Sequence, residues 1–264
     1  MAIDGLLSHG LDTTLLSRIE DAGLNASAPP QQRWVDGWLV RFSPAKAKRA
    51  RCVNAVAAGR LPAADKLALC ESVFAEAQLP LIVRVTPFSQ PEGLDQLLAQ
   101  RGLRRFDDTR VMVLADLAQL RRVGLADGAS VQPVALEPFA QRVGALRGSP
   151  LSQRQAHGQR LINSPVPFTA FELRRDAQVL ACGQYALEGD LVGLYDVFTA
   201  PAARGSGLAT QLCSHLLADA QARGARHAYL QVESDNDAAR AVYHRLGFVD
   251  GYAYHYRTAD PDAA

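Results

Sequence analysis

Cysteine is scarce in this sequence, and the few cysteines that occur lie far apart. The 264 residues include four, at Cys52, Cys70, Cys182 and Cys213. They form neither a CxxC pair nor a Cys/His spacing of the kind that binds zinc. A disulfide framework is not indicated either, because such frameworks are typical of short, cysteine-rich secreted chains. We therefore expect no metal site and a compartment in which thiols stay reduced.

An excess of charge of either sign is also missing. The sequence has 28 lysines and arginines against 27 aspartates and glutamates, so its formal net charge is +1. This balance gives no reason to expect nucleic acid or an acidic membrane surface as a partner.

Long apolar runs are absent as well. No stretch approaches the roughly 18 consecutive apolar residues that a membrane-spanning helix needs. The first twelve residues, MAIDGLLSHGLD, have no basic flank and no long apolar core, so they do not resemble a targeting segment. We expect a soluble cytoplasmic protein.

The chain does contain an alternation of strand-like and helix-like segments. In its second half the pattern predicts strands and helices in the order 131–134, 137–146 (helix), 152–162 (helix), 168–173, 179–187, 191–199, 208–222 (helix), 227–232, 237–246 (helix) and 249–256. Consecutive strands followed by strand–helix–strand units are typical of a mixed sheet in an α/β domain.

A weak internal repeat suggests two domains of this kind in tandem. Leu97–Leu103 and Val242–Phe248 each end a predicted helix with a glycine before a strand, and the glycines, Gly102 and Gly247, are 145 residues apart. Both halves also alternate helix and strand before they end. We predict a first domain at 1–118, a linker at 119–129 and a second domain at 130–264.

The stretch Arg204–Ala209, with the sequence RGSGLA, lies between a predicted strand and a predicted helix. Glycines at the start of a helix let a ligand approach the backbone closely. The first turn of a helix offers N–H donors without intrahelical partners, and the helix dipole adds positive potential there. This stretch therefore predicts an anion site, most often one for phosphate.

With these residues the second half resembles the GNAT superfamily of N-acyltransferases. The superfamily motif Arg/Gln-x-x-Gly-x-Gly/Ala matches Arg204 to Ala209, and Pro201 is retained before it, with Thr199 in place of the usual valine. Downstream, the superfamily pattern of Asn, Ala, Tyr and Gly-Phe matches a second set of residues at the expected spacing: Asn236, Ala239, Tyr243, Gly247 and Phe248.

The resemblance implies an acyl-coenzyme A site, with acetyl-CoA as the expected cofactor. The backbone of Arg204, Gly205, Ser206, Gly207, Leu208 and Ala209 would hold the pyrophosphate, and the main chain of Val197, Phe198 and Thr199 would pair with the pantetheine arm. Asn236 and Ala239 would border the cofactor. Asn236 is equally explained as the N-cap of the following helix, and the apolar side chains at 197–199 fit a buried strand.

The resemblance also assigns Tyr243 as the general acid that protonates the departing thiolate. A phenol titrates near 10, so it is a proton donor at neutral pH; packing of a core tyrosine is the alternative. For the base, which must take a proton from the acceptor amine, Glu233 and Asp196 are the candidates. Each is also explained as a charge at a strand end or as a hydrogen-bonding partner.

The first half looks like a degenerate GNAT domain. It carries the strand Gly37–Phe42, as do the N-terminal halves of tandem members, but it lacks the glycine loop, and Leu98 stands where the repeat would place Tyr243. We expect it to be chemically silent.

The sequence thus predicts an N-acetyltransferase that acts on a small-molecule or peptide amine. It leaves the oligomeric state open, with a homodimer as one option. Two alternatives stay open at this stage. One is a dinucleotide-binding fold, since Gly205 and Gly207 follow a strand and Glu233 ends the next; against it, Thr210 stands where the third glycine belongs. The other is a silent module that binds acyl-CoA or scaffolds a partner.

Overall fold

A computed structural model describes residues 10–43 and 47–263. The first nine residues, which entered the targeting argument, lie outside this range. In the described part, the helices are α1 (Thr13–Ala26), α2 (Ala63–Glu76), α3 (Leu94–Gln100), α4 (Leu136–Leu146), α5 (Leu151–Ile162), α6 (Leu208–Ala222) and α7 (Asp237–Leu246). The strands are β1 (Gln32–Val35), β2 (Trp38–Arg41), β3 (Val53–Asn54), β4 (Val83–Val85), β5 (Arg104–Leu114), β6 (Ala129–Val134), β7 (Phe168–Arg175), β8 (Gln178–Glu188), β9 (Leu191–Thr199), β10 (His227–Glu233) and β11 (Val249–Thr258).

The chain forms two compact units. Ser27–Arg110 and Gly251–Ala264 belong to the first unit, and Leu11–Ala26 and Val111–Asp250 belong to the second. Each unit has a mixed sheet, so the predicted α/β class with mixed sheets is confirmed. None of the helices in the described part is long and apolar enough to cross a membrane.

In the second unit the strands follow the order β6-β7-β8-β9-β10-β5. Pairing is antiparallel from β6 to β9, as hairpin connections require, and becomes parallel between β9 and β10, which α6 joins. The predicted apolar face of α6, formed by Leu208, Leu212, Leu216 and Ala220, is buried against one side of this sheet. Helices α4 and α5 bury Phe139, Val143 and Leu161 in a separate cluster.

In the first unit the order is β1-β2-β3-β4-β11, with β3 and β4 parallel and joined by α2. Its core contains Trp38, Leu67 and Phe74. Strand β1, which the sequence patterns did not predict, pairs with β2 through a tight turn at Asp36 and Gly37, both at positive φ.

The units divide the chain differently from the predicted boundaries at 118 and 130. Helix α1 belongs to the second unit, and most of β11 to the first, where His255–Arg257 pair antiparallel with β4. The end of β5, Val111–Leu114, belongs to the second unit. Each half of the sequence therefore supplies the unit of the other half with a strand. Local patterns cannot show this, because a strand belongs with whatever neighbour accepts its backbone hydrogen bonds.

The two helix ends that suggested a repeat have the same backbone geometry. The N–H of Leu103 donates to the carbonyl of Leu98 at 3.0 Å, and the N–H of Phe248 donates to that of Tyr243 at 3.1 Å. Gly102 and Gly247 both have positive φ, +80° and +104°, which glycine adopts without strain. This match supports the tandem relationship, which stays a prediction.

Candidate active site

The predicted anion-binding stretch is the N-terminal end of α6. Gly205 and Gly207 have φ values of +80° and +75°, and Gly207 is the N-cap, with no side-chain cap. The first helical hydrogen bond runs from the Gln211 N–H to the Gly207 carbonyl at 3.1 Å. The N–H groups of the residues between them precede that bond, so the helix itself offers them no acceptor. Residues 204–207 are exposed, which leaves this positive helix end open to solvent.

The strand before this loop separates from its parallel neighbour. Pairing of β9 with β10 ends at Leu194 opposite Leu230, although β9 continues to Thr199 and β10 to Glu233. On its other side β9 keeps its partner β8, with Phe198 opposite Cys182. One backbone edge of residues 195–199 therefore lies beyond the last β10 partner. The pairing of Val197, Phe198 and Thr199 with a cofactor arm stays a prediction.

A bulge interrupts β9 at the point of separation. Asp196 and Val197 together lie opposite the single residue Gly183, and Asp196 has a φ of +51°. A bulge adds one residue and redirects the side chains of its strand. Val197 packs against the core beneath α6, whereas Phe198 packs against the cluster of α4 and α5.

Arginine side chains flank the end of β9. Arg204 donates from Nε to the carbonyl of Thr199 at 3.4 Å, and its guanidinium lies 5.4 Å from the ring centroid of Phe198. The Arg147 guanidinium lies 5.6 Å from the same ring. The loop and the end of the strand, which were predicted to share one ligand, are thus in contact.

Asp196 carries the most strongly perturbed carboxylate of the site. Its Oδ1 accepts from Arg147 at 2.8 Å, and its Oδ2 accepts from the Gln184 amide at 2.7 Å and lies 3.1 Å from Nε2 of His157. Burial alone would raise the pKa of Asp196, but the interactions with His157 and Arg147 outweigh it and hold the pKa far below its usual range. The carboxylate is therefore ionised at neutral pH and is a weak base.

The sequence argument missed these partners of Asp196. Arg147, His157 and Gln184 come from the end of α4, from α5 and from β8, and each is remote from Asp196 in sequence. No local spacing connects them, and His157 in particular carried no assigned role. Only the folding of α4 and α5 against β9 makes the cluster visible.

Tyr243 lies on α7 within the core shared with α6. Its ring packs edge-to-face on Phe248 at 6.0 Å, and no described residue hydrogen-bonds its hydroxyl. Burial raises the pKa of Tyr243 well above its usual range, so the phenol keeps its proton at neutral pH. The side chain therefore packs in the core, as one of the two explanations had it. The role of Tyr243 as general acid stays a prediction.

The remaining predicted residues lie at the ends of β10 and α7. The side chain of Asn236 accepts from the N–H of Ala239 at 3.1 Å, so Asn236 is the N-cap of α7. Ala239 packs against the core. Glu233 ends β10 exposed, and its carboxylate forms no ion pair or side-chain hydrogen bond with any residue that the structure describes. In the same described ranges, no group of three or more His, Cys, Asp or Glu side chains could hold a metal ion.

Known proteins share this architecture. A GCN5-related N-acetyltransferase from Kribbella flavida superposes with a TM-score of 0.68 at 20% identity, covering 93% of this chain and 95% of the other. A tandem GNAT protein from the clavulanic acid biosynthesis pathway gives a TM-score of 0.61 at 16% identity, over 75% of this chain and 70% of that one.

In sequence, the chain is 25% identical to an uncharacterized N-acetyltransferase, YobR of Bacillus subtilis (strain 168), over 86% of this chain and 91% of that protein. These likenesses define the class: the protein is a GNAT N-acetyltransferase. The antiparallel run from β6 to β9 also differs from the parallel sheet of a dinucleotide-binding fold. More narrowly, the chain belongs to the family described as probable histone acetyltransferase Rv0428c C-terminal, whose model matches residues 13–257.

Proposed function

We propose that this protein transfers an acetyl group from acetyl-CoA to a primary amine, by direct attack of the amine while both substrates are bound. The observation that carries the proposal is the open edge of β9 directly beside the exposed start of α6. An acyl-CoA has an extended amide-containing arm and a pyrophosphate, and these two features suit a strand edge and a helix N-terminus.

The residues present suit this donor substrate. No atom lies within 4 Å of the position that a Cβ at Gly205 would take, so a phosphate has room to approach the backbone there. In the proposal, residues 204–209 bind the pyrophosphate and Val197–Thr199 pair with the pantetheine arm. Asn236 and Ala239 border the site, the former through its backbone, since its side-chain oxygen caps α7.

The chemistry divides between a proton donor and a base. Tyr243 is protonated at neutral pH and gives its proton to the thiolate that leaves. The acceptor arrives as an ammonium ion and must lose a proton before it can attack. Of the predicted bases, Glu233 has no ion pair with any residue that the structure describes, while Asp196 is paired with Arg147 and is a weak base.

The acceptor in this proposal is a small-molecule or peptide amine, and the catalytic domain is residues 130–264, preceded by a linker at 119–129 and a silent GNAT-like domain at 1–118. The location we propose is the cytoplasm, where the four cysteines, all free and buried in the structure, stay reduced.

Calorimetry tests the donor, with acetyl-CoA, NAD and NADP titrated separately into the full chain. We expect binding of acetyl-CoA only; binding of a dinucleotide without acetyl-CoA would overturn the proposal. Thiol release from acetyl-CoA, measured with spermidine, an aminoglycoside and a lysine-containing peptide, tests the transfer. Binding without any thiol release would instead support a silent acyl-CoA module.

A further inference from the structure

A polar cluster lies on the α4–α5 side of β9, where the bulge turns Asp196 toward those helices; its Gln184 is buried, Asp196 and His157 are half-buried, and Arg147 is exposed. We call Asp196, Arg147, His157 and Gln184 the Asp196 cluster. Its distances are short: 2.8 Å from Arg147 Nη1, 2.7 Å from Gln184 Nε2 and 3.1 Å from His157 Nε2 to the carboxylate oxygens. The cluster lies immediately before Val197–Thr199, the strand edge proposed to hold the donor substrate.

The carboxylate of Asp196 is a weak base, because its neighbours stabilise its ionised form. The positively charged Arg147 donates to Oδ1 of Asp196. Gln184 donates to Oδ2, and Nε2 of His157 lies close to the same oxygen. Such a carboxylate orients its partners rather than exchanging protons itself, as in catalytic groups where an aspartate holds a histidine.

Unlike the Asp196 carboxylate, His157 has a nitrogen, Nδ1, that is free to accept a proton. Its buried Nε2 lies 3.1 Å from Asp196 Oδ2 without the alignment of a hydrogen bond. The neighbouring negative charge favours an N–H on Nε2, and in that tautomer Nδ1 carries the lone pair. No described residue hydrogen-bonds Nδ1. Histidine is also the side chain that ordinarily exchanges protons near neutral pH.

Gln184 gives an independent sign that a ligand completes the cluster. The side chain is fully buried, its Nε2 donates to Asp196, and its Oε1 has no hydrogen-bond partner in the described chain. A buried acceptor without a donor lowers the stability of the fold, because it has lost its hydrogen bonds to water without replacing them. An N–H group of a bound amine would satisfy this oxygen.

We propose that His157 is the base that takes the proton from the acceptor ammonium, and that Asp196 is the residue that positions it. This proposal rests on the proposed acetyl transfer. His157 Nδ1 removes one proton from the ammonium, and the neutral nitrogen then bonds to the thioester carbon as the carbon–sulfur bond breaks. Tyr243 protonates the leaving thiolate, its phenolate takes the second proton that the nitrogen loses, and His157 releases the first proton to solvent.

The test compares two nucleophiles that differ in their need for a base. Spermidine is an ammonium ion at pH 7.5, whereas hydroxylamine is largely neutral and needs no deprotonation. For His157→Gln we expect kcat with spermidine to fall about 100-fold, with only a small loss on hydroxylamine and an unchanged Kd for acetyl-CoA. His215→Gln is the matched control, since His215 packs on Phe171 from α6 and should leave both rates unchanged.

Asp196→Asn tests the positioning role. We expect it to lower kcat with spermidine selectively, Asp196→Glu to restore part of the rate, and the Asp196→Asn/His157→Gln double variant to be no slower than His157→Gln alone. Equal losses with both nucleophiles, or additive losses in the double variant, would overturn the proposal. So would a selective loss in Glu233→Gln that His157→Gln does not show, because Glu233 would then be the base.

The two proposals fail in different ways. If the wild-type chain neither binds acetyl-CoA nor acetylates hydroxylamine, the proposed function is wrong. If it does both but His157→Gln lowers kcat with spermidine and with hydroxylamine by the same factor, only the assignment of the base is wrong.

Discussion

Gly207 combines two requirements that no other residue type meets. Its φ of +75° lies in the left-handed region, and its N–H neighbours at the start of α6 must stay accessible to an anion. A side chain would bring strain, and an acidic one would also bring repulsion.

Gly207→Glu should therefore abolish acetyl-CoA binding in calorimetry and destabilise the protein by about 1–2 kcal/mol through left-handed strain. Gly189→Glu is the matched control, because Gly189 has a φ of +59° in the turn between β8 and β9 with no atom within 4 Å of its Cβ position. It should lose similar stability and keep binding. Equal affinity in the two variants would remove Gly207 from the site.

The hydroxyl of Tyr243 offers a second test at the level of one atom. Tyr243→Phe keeps the ring that packs on Phe248, so we expect acetyl-CoA to bind as before while thiol release slows about 100-fold or more. Tyr185→Phe is the control, since the Tyr185 hydroxyl donates to Asp219 on α6 and should affect stability alone. Unchanged turnover in Tyr243→Phe would exclude Tyr243 as the proton donor.

Among the elements, β9 contributes the backbone edge that we propose binds the donor substrate. Its first four residues pair with β10, and its last five extend past that pairing after the bulge at Asp196. The strand thus keeps β8 as its partner along its length but pairs with β10 only over its first four residues. Helix α7 follows the end of β10, and its start is fixed by the Asn236 cap.

The cap makes a prediction about α7. Asn236→Ala removes the acceptor for the Ala239 N–H and should lower the free energy of unfolding by about 1 kcal/mol. Asn236→Asp keeps a capping oxygen and should restore that loss. We expect both variants to bind acetyl-CoA normally in calorimetry. Weaker binding in both would show that the amide also contacts the donor substrate.

For the molecule as a whole, aspartates paired with cations set the response to acid. Burial would raise the pKa of Asp95, but hydrogen bonds from His255 at 2.8 Å and Arg257 at 3.0 Å hold it far below 3.8. Asp196 in the second unit behaves in the same way. Burial raises the pKa of Asp21, which therefore acts in the opposite direction but lacks comparable ion pairs.

A carboxyl group with a lowered pKa in the folded state stabilises the fold above its unfolded pKa, near 3.9, and loses that contribution as the pH falls below it. We expect the urea midpoint to begin to drop near pH 4 and to keep falling toward pH 2, and Asp95→Asn to make this dependence shallower. Asp235→Asn, at an exposed carboxylate without an ion pair in the described chain, should leave it unchanged. Identical pH dependence in all three proteins would contradict the assignment.

The sequence by itself determined the class of the protein and the order of nearly all its elements. RGSGLA predicted the start of a helix, and the pattern from Asp237 to Gly247 predicted the next helix and its end, with Asn236 as one candidate for its cap. These features are local: each depends on residues within a few turns of one another, so spacing along the chain suffices to predict them.

Only the tertiary structure showed which distant side chains contact each other and which strands pair. The contacts of Asp196 with Arg147 and His157 join residues 49 and 39 positions apart, and β11 pairs with β4 across most of the chain. The divergence of β9 from β10 is equally invisible in the apolar pattern. Such contacts depend on which surfaces pack against each other in the folded chain. The spacing of side chains along the sequence therefore cannot predict them.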